Sequence, residues 1–201
     1  MNEDHARSEL TRICVKLYDR DLTVSAGGNM SIRLNGDEML ITPTGRNKGM
    51  LTPQEMVKMD LDGNILSDGK PSIEHRFHIG LYRKNPDVNA IVHCHPLHCV
   101  ALAVRGAGLR TGLTPEGVLL LGDVPMIGYH TPGSQELVDE IVEHAASNAM
   151  LMSRHGALTQ GRTLEEAYNR MEELEFQAAL QDLVGDAEEL PRDEIARIRG
   201  L

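Results

Sequence analysis

The sequence predicts an α/β domain built on a largely antiparallel sheet, and three observations carry that prediction. Apolar patterns of helical period and of strand period both occur, so neither an all-α nor an all-β chain fits. They mix irregularly, and strand signals meet at turns such as Asn35-Gly36 and Asp62-Gly63 instead of alternating regularly with helices as βαβ units do. The third is size. With 201 residues, 41% of them hydrophobic and 25% charged, the chain suits one compact domain that buries its own core. No repeat, low-complexity stretch or linker interrupts it, so residues 1–201 read as a single domain with a short C-terminal tail from about 185.

Each element follows from local pattern. Leu10, Ile13, Cys14, Leu17 and Tyr18 recur at i, i+3, i+4, i+7 and i+8, an amphipathic helix over residues 6–20. SAGGNMSIRL opens with small residues and then alternates Met30, Ile32 and Leu34, a strand leaving a tight loop. Asn35-Gly36 is a two-residue turn into a return strand over 39–42. Thr52, Pro53 and Glu55 occupy the N-cap, N1 and N3 positions of a capping box that starts a short helix. A second hairpin is expected around Asp62-Gly63. In PSIEHRFHIGLYRKNP, Ser72 near the N-cap and Pro86 beyond the end delimit a helix. A strand over 88–94 and a helix from about Pro96 to Val104 follow, and residues 118–129 read as one or two strands. Ser134 caps a helix with the stripe Leu137, Ile141, Val142 and Ala145. AMLMSRHGAL is an apolar strand that meets a turn, and Thr163 with Glu166 forms a second capping box opening a long helix to about Val184.

Composition limits the function classes. A formal net charge of -10 argues against a protein that coats nucleic-acid phosphates, although a few backbone amides can still bind one small anion. MNEDHARSEL is charged and lacks a signal-peptide core, and no apolar run approaches the roughly 20 residues of a membrane span, so a cytoplasmic protein without membrane contact is expected. Three cysteines, Cys14, Cys94 and Cys99, form no disulfide framework. With no Trp and 10 Met, the core is aliphatic with Met filling gaps.

The stretch AIVHCHPLH, residues 90–98, carries the chemistry. On a strand, His93 and His95 share one face and Cys94 takes the other. Two imidazoles at that spacing can converge on one divalent ion, and a catalytic site of the zinc type has three protein ligands and an open position. Candidates to complete the set are His155 in SRHG and Glu74 in the first turn of the helix after Pro71. The spacing alone also fits hydrogen-bonded or surface histidines, and His75 with His78 is an alternative pair without an evident third ligand. His98 supports the ligands or packs, and Cys99 reads as a small buried hydrophobe. SAGGN likewise has two readings. It is a turn in which Gly and Asn tolerate positive φ, or a cradle of amides for phosphate to which Thr44 of PTGR and Ser72 of PSIE add hydroxyls.

GGNMS, ITPTG, KPSIEHRFH, IVHCHPLHCVALA, TPGSQEL and SRHGAL stand in the order and spacing of the class II aldolase and epimerase family, and the chain resembles that family over residues 6–182. Within it, the pattern is most similar to the L-fuculose-phosphate aldolases of the shorter archaeal type. The resemblance implies a three-layer α/β/α fold around a central, mainly antiparallel sheet, and a homotetramer with active sites near subunit interfaces. It implies His93, His95, His155 and Glu74 as ligands of one zinc ion, manganese and cobalt being the other ions that fit, with Glu74 also the acid/base. Gly28, Asn29, Thr44, Gly45 and Ser72 would bind the substrate phosphate. The implied reaction is reversible cleavage of a ketose 1-phosphate, L-fuculose 1-phosphate or similar, to dihydroxyacetone phosphate and a small aldehyde such as lactaldehyde. A metal would stabilise the enediolate, so no Schiff-base lysine is needed.

The chain departs from the aldolase pattern in three places. Ile73 stands where a second Ser is usual and Ala26 where a Thr is, so two phosphate hydroxyls are missing; Arg46 and Lys48 either replace them as charges or are simply solvated. The family's tyrosine is also absent, Thr114 of LTPEG standing at its position and the tail holding none, which leaves Glu116 and Tyr129 as candidates for proton delivery. Two alternatives therefore stand beside the aldolase. One is a metal-dependent sugar-phosphate epimerase, dehydratase or decarboxylase of the same fold, though epimerases usually carry Asp where Glu74 stands. The other is a non-enzymatic, adducin-like interaction module.

Overall fold

The computed structural model describes residues 2–34 and 36–201. Seven strands, β1 (Asn29–Arg33), β2 (Glu38–Ile41), β3 (Val57–Asp60), β4 (Ala90–Cys94), β5 (Met126–Ile127), β6 (Ala149–Met152) and β7 (Gly156–Gly161), form one sheet in the order β3-β2-β1-β4-β7-β6-β5. Every neighbouring pair is antiparallel except β5 with β6. Helices α1 (Glu3–Asp19), α3 (Leu97–Arg105) and α5 (Leu164–Val184) cover one face, and α2 (His75–Lys84) and α4 (Gln135–Glu143) the other. The three-layer α/β/α expectation holds, and its cause is visible in β4 at the centre. Ala90, Val92 and Cys94 pack with Leu10, Cys99 and Leu174 on the first face, while Ile91 packs with Phe77, Leu137 and Ile141 on the second. Because both faces are covered, the strand is a continuous buried run and His93 is forced into the α2 side.

Several boundaries move for identifiable reasons. Asn2 caps α1 by accepting from the Asp4 amide at 3.1 Å, so that helix begins earlier than its apolar stripe. The β1–β2 hairpin pairs Arg33 with Met39; of its turn, Gly36 has φ +64°, and Asn35 lies outside the described residues. Thr52 opens a single 3-10 turn, Pro53–Glu55, whose Glu55 carboxylate accepts the Thr52 amide at 2.8 Å. The second hairpin closes with Asp60 N–H donating to the Asn64 carbonyl at 3.0 Å.

Ser72 is not the N-cap of α2. Its amide donates to the Thr42 carbonyl at 3.1 Å and Pro43 bridges to Pro71, which holds residues 71–72 extended beside β2, and the helix starts at His75 with Glu74 as its N-cap. Between 118 and 129, Gly117–Leu121 is a wide helical turn and only Met126–Ile127 is a strand. Val118 and Leu121 are buried while Leu119 faces out, a helical spacing that its apolar neighbours mask. The tail forms α6 (Arg192–Arg199), and its approach is fixed by Leu190 N–H donating to the Gly112 carbonyl at 2.8 Å. Among the described residues no helix is long and apolar enough to cross a membrane.

Candidate active site

His93 is aimed from the middle of the sheet. Its Nδ1 lies 2.8 Å from the Ala157 carbonyl on β7, and because a carbonyl can only accept, Nδ1 carries the proton and Nε2 presents its lone pair. That lone pair faces His95 Nε2 at 3.2 Å and Glu74 Oε2 at 3.4 Å, and Glu74 Oε1 lies 3.5 Å from His155 Nε2. The ligand atoms of His93, His95 and His155 all lie within 4.8 Å of one another. His95 arrives from the loop after β4, His155 from the turn between β6 and β7, and Glu74 from the cap of α2.

The donors fit a divalent ion. A tetrahedron with ligands about 2.0–2.1 Å from its centre has edges of about 3.3–3.4 Å; three of the six separations among these donors are 3.2, 3.4 and 3.5 Å, and the histidine nitrogens lie within 4.8 Å of one another. Facing lone pairs at those distances repel unless a cation lies between them, and the buried Glu74 Oε1 has no hydrogen-bond partner. Burial, followed by the His93 and His155 charges, pushes His95 down to about 3, and burial with the His93 charge pushes His155 down to about 4. Burial would raise Glu74, but His93, His155 and the Asn29 amide together hold it well below the ordinary carboxylate range. Neutral imidazoles and an ionised carboxylate are the forms that bind metal.

Glu74 is oriented by a buried chain of hydrogen bonds. Asn29 Nδ2 donates to Glu74 Oε2 at 2.7 Å, so Asn29 Oδ1 must accept from His78 Nε2, 2.6 Å away. That fixes the His78 tautomer; its Nδ1 accepts from the Ser31 hydroxyl at 2.7 Å, and Ser31 in turn accepts from Tyr82 at 2.7 Å. Burial, followed by the His93 charge, pushes His78 down to about 3, consistent with a neutral ring. Sequence reasoning missed Ser31, His78 and Tyr82 in this role. The available signal was polar residues on core-facing positions, Asn29 with Ser31 at strand spacing and His78 with Tyr82 at helical spacing.

Two glycines let the backbone close over the ligands. A Cβ at Gly28, whose φ is +70°, would stand 2.4 Å from the His93 carbonyl, and one at Gly156 would stand 2.4 Å from the Cys94 carbonyl and 2.6 Å from His95 Cδ2. Beside the histidines, Gly28, Asn29, Thr44, Gly45 and Ser72 line one pocket of about 230 Å³. Asn29 reaches it with its side chain already engaged by Glu74 and His78, which leaves its main chain for a ligand.

Other sequence candidates lie elsewhere. Thr114 accepts from Gln177 Nε2 at 2.6 Å, Tyr129 is 63% exposed, and neither they nor Glu116 are among the residues that line the pocket. His75 Nδ1 donates to the Ser72 carbonyl at 2.8 Å while His78 faces Asn29, so the two do not converge. Cys94 points to the opposite face as expected, Cys99 is buried, and His98 pairs with Glu175 at 2.8 Å. Arg46 pairs with Glu55 at 2.6 Å, but Lys48 is not a solvated residue: it is buried, with Nζ donating to the Ala26 and Arg46 carbonyls at 2.8 and 3.0 Å.

Comparison with known proteins agrees with this geometry. The family described as Class II Aldolase and Adducin N-terminal domain matches residues 8–181. The 3-oxo-tetronate 4-phosphate decarboxylase of Escherichia coli K12 is 38% identical over 204 residues, covering 98% of this chain and 96% of its own. The L-fuculose phosphate aldolase of Methanocaldococcus jannaschii is 37% identical over 174 residues, covering 87% of this chain and 94% of its own. Among solved structures, Escherichia coli YgbL, described as an aldolase/epimerase/decarboxylase, superposes with a TM-score of 0.94 at 37% identity over 98% of this chain and 99% of its own.

Proposed function

The chain belongs to the class II aldolase and adducin family, which has aldolase and decarboxylase members, and on that premise we propose that it is a zinc-dependent carbon–carbon lyase that decarboxylates a phosphorylated 3-oxo sugar acid of the 3-oxo-tetronate 4-phosphate type. His93, His95, His155 and Glu74 would hold the ion. A divalent ion there supplies Lewis-acid stabilisation of negative charge developing on the substrate's carbonyl and hydroxyl oxygens. Gly28, Thr44, Gly45, Ser72 and the Asn29 main chain hold the phosphate.

The observation that carries the choice of reaction is the pocket's proton inventory. Among the described residues of one chain that line it, Glu74 is the one carboxylate and none is a tyrosine. Aldol cleavage requires a proton to leave the hydroxyl of the departing aldehyde and another to reach the new carbanion, two transfers at two positions. A carboxylate that departs as CO2 is already ionised, so one carboxylate suffices. The C1–C2 bond breaks, its electron pair passing into the C3 carbonyl, and CO2 leaves. Glu74, having taken one proton from solvent, passes it to C2 as the C3 carbonyl re-forms. The product is dihydroxyacetone phosphate. Glu74 lies beside the metal-binding histidines, and its orientation by Asn29 supports a single acid/base.

Aldol cleavage of a ketose 1-phosphate is the second reading, supported by the identity to the archaeal L-fuculose phosphate aldolase. It passes through the same three-carbon enediolate, with an aldehyde in place of CO2. Incubation with 3-oxo-tetronate 4-phosphate and, separately, with L-fuculose 1-phosphate separates the two. Chelator-sensitive release of CO2 and dihydroxyacetone phosphate from the first is expected; lactaldehyde from the second with no CO2 from the first would reverse the order. The proposal includes a homotetramer with sites near subunit boundaries, supported by Val24 and Ile73, apolar residues 67% and 63% exposed beside the pocket.

A further inference from the structure

We propose that the Lys48 ammonium is the fixed positive charge that receives the substrate phosphate, replacing the hydroxyls absent at Ala26 and Ile73; this rests on the sugar-phosphate reading above. Lys48 opens the short turn Lys48–Met50, beside the Gly27-Gly28 and Thr44-Gly45 loops. It is 1% exposed, and its hydrogen-bond partners are two carbonyls, Ala26 O at 2.8 Å and Arg46 O at 3.0 Å. Among the described residues no carboxylate forms an ion pair with it.

Lysine is almost never fully buried unless paired, because an ammonium removed from water without a counter-charge is costly. An ammonium carries three donors, so with two on carbonyls one is free. The two carbonyls also hold the stem in place and stitch residues 26 and 46 together. Lys48 lines the same cavity as Gly28, Thr44, Gly45, Ser72 and His95. A phosphomonoester dianion in that cavity supplies the missing counter-charge through a charge-assisted hydrogen bond. The other departures cannot do so. Ile73 offers hydrocarbon, Ala26 offers a carbonyl that Lys48 already occupies, and Arg46 is turned to Glu55 at 2.6 Å.

The test uses zinc-loaded protein and inorganic phosphate. Lys48→Met keeps an unbranched stem and removes the charge. Wild type should bind phosphate saturably by calorimetry and gain melting temperature with it, as a ligand of the folded state must. The variant should bind at least about tenfold more weakly while zinc stoichiometry and the melting temperature in phosphate-free buffer hold. Equal phosphate affinity in both proteins would overturn the role of Lys48 and leave the sugar-phosphate reading standing; no saturable binding by wild type would overturn both. If Lys48→Met does not fold, a crystal structure of wild type with phosphate decides. An oxygen within about 3.2 Å of Lys48 Nζ supports the assignment, and phosphate seated elsewhere in the pocket removes it.

Discussion

Glu74 meets His93 on one oxygen and His155 on the other, and among the described residues its carboxylate takes a hydrogen bond from the Asn29 amide alone. Glu74→Gln is therefore expected to keep most of its metal, because three histidines remain, and to lose turnover by about 100-fold or more through loss of the acid/base. His95→Ala should lose metal and activity together; full metal occupancy by elemental analysis in that variant would sink the ligand assignment. The three histidines and Glu74 were legible as candidates, since their spacing put two imidazoles on one strand face. The tautomer chain through Asn29, His78, Ser31 and Tyr82 was not legible, because it joins residues of β1 and α2 that lie up to 53 positions apart only once the sheet and helix pack.

Among the elements, β7 packs its first residue, Gly156, directly against the site. Gly156→Ala places a methyl against the Cys94 carbonyl and His95, and overpacking of this kind costs about 1–3 kcal/mol. Lower melting temperature together with weakened zinc affinity is expected, whereas unchanged zinc affinity would show that β4 and the turn can separate freely. Helix α3 depends on a partner distant in sequence. Glu175 of α5 accepts from the His98 and Cys99 amides, each at 3.0 Å, and so caps the N-terminus that Pro96 leaves bare. Glu175→Ala should lower stability by about 1 kcal/mol with zinc stoichiometry unchanged, measured by denaturant melts and metal analysis. Apolar period found α1 and α4 and boundary signals found α2 and α5, but Gly117–Leu121 was read as strand because an unbroken apolar run hides which residues face inward.

For the molecule as a whole, the buried histidines set the response to acid. An unfolded histidine binds a proton near pH 6.5, whereas folded His78 resists until about 3, with His95 at about 3 and His155 at about 4. Between those values the unfolded chain holds more protons, so their stabilisation is complete above about pH 6.5 and is lost as pH falls toward 3. Glu74, lowered from 4.5, adds loss of the same sign that begins as pH falls through about 4.5. For metal-free protein the slope from His78 alone is about 1.4 kcal/mol per pH unit. Thermal melts at pH 7.5, 6 and 5 should fall progressively, and a flat series would contradict the buried, neutral state of these rings. Sequence by itself determined the α/β class, the family and the candidate ligands, because apolar period and motif spacing are properties of neighbouring residues. Tertiary structure alone decided that His93 faces α2, that Asn29 orients Glu74, and that Lys48 is buried beside the Gly27-Gly28 and Thr44-Gly45 loops with no acidic partner among the described residues, because each depends on which distant strands and turns the sheet order brings together.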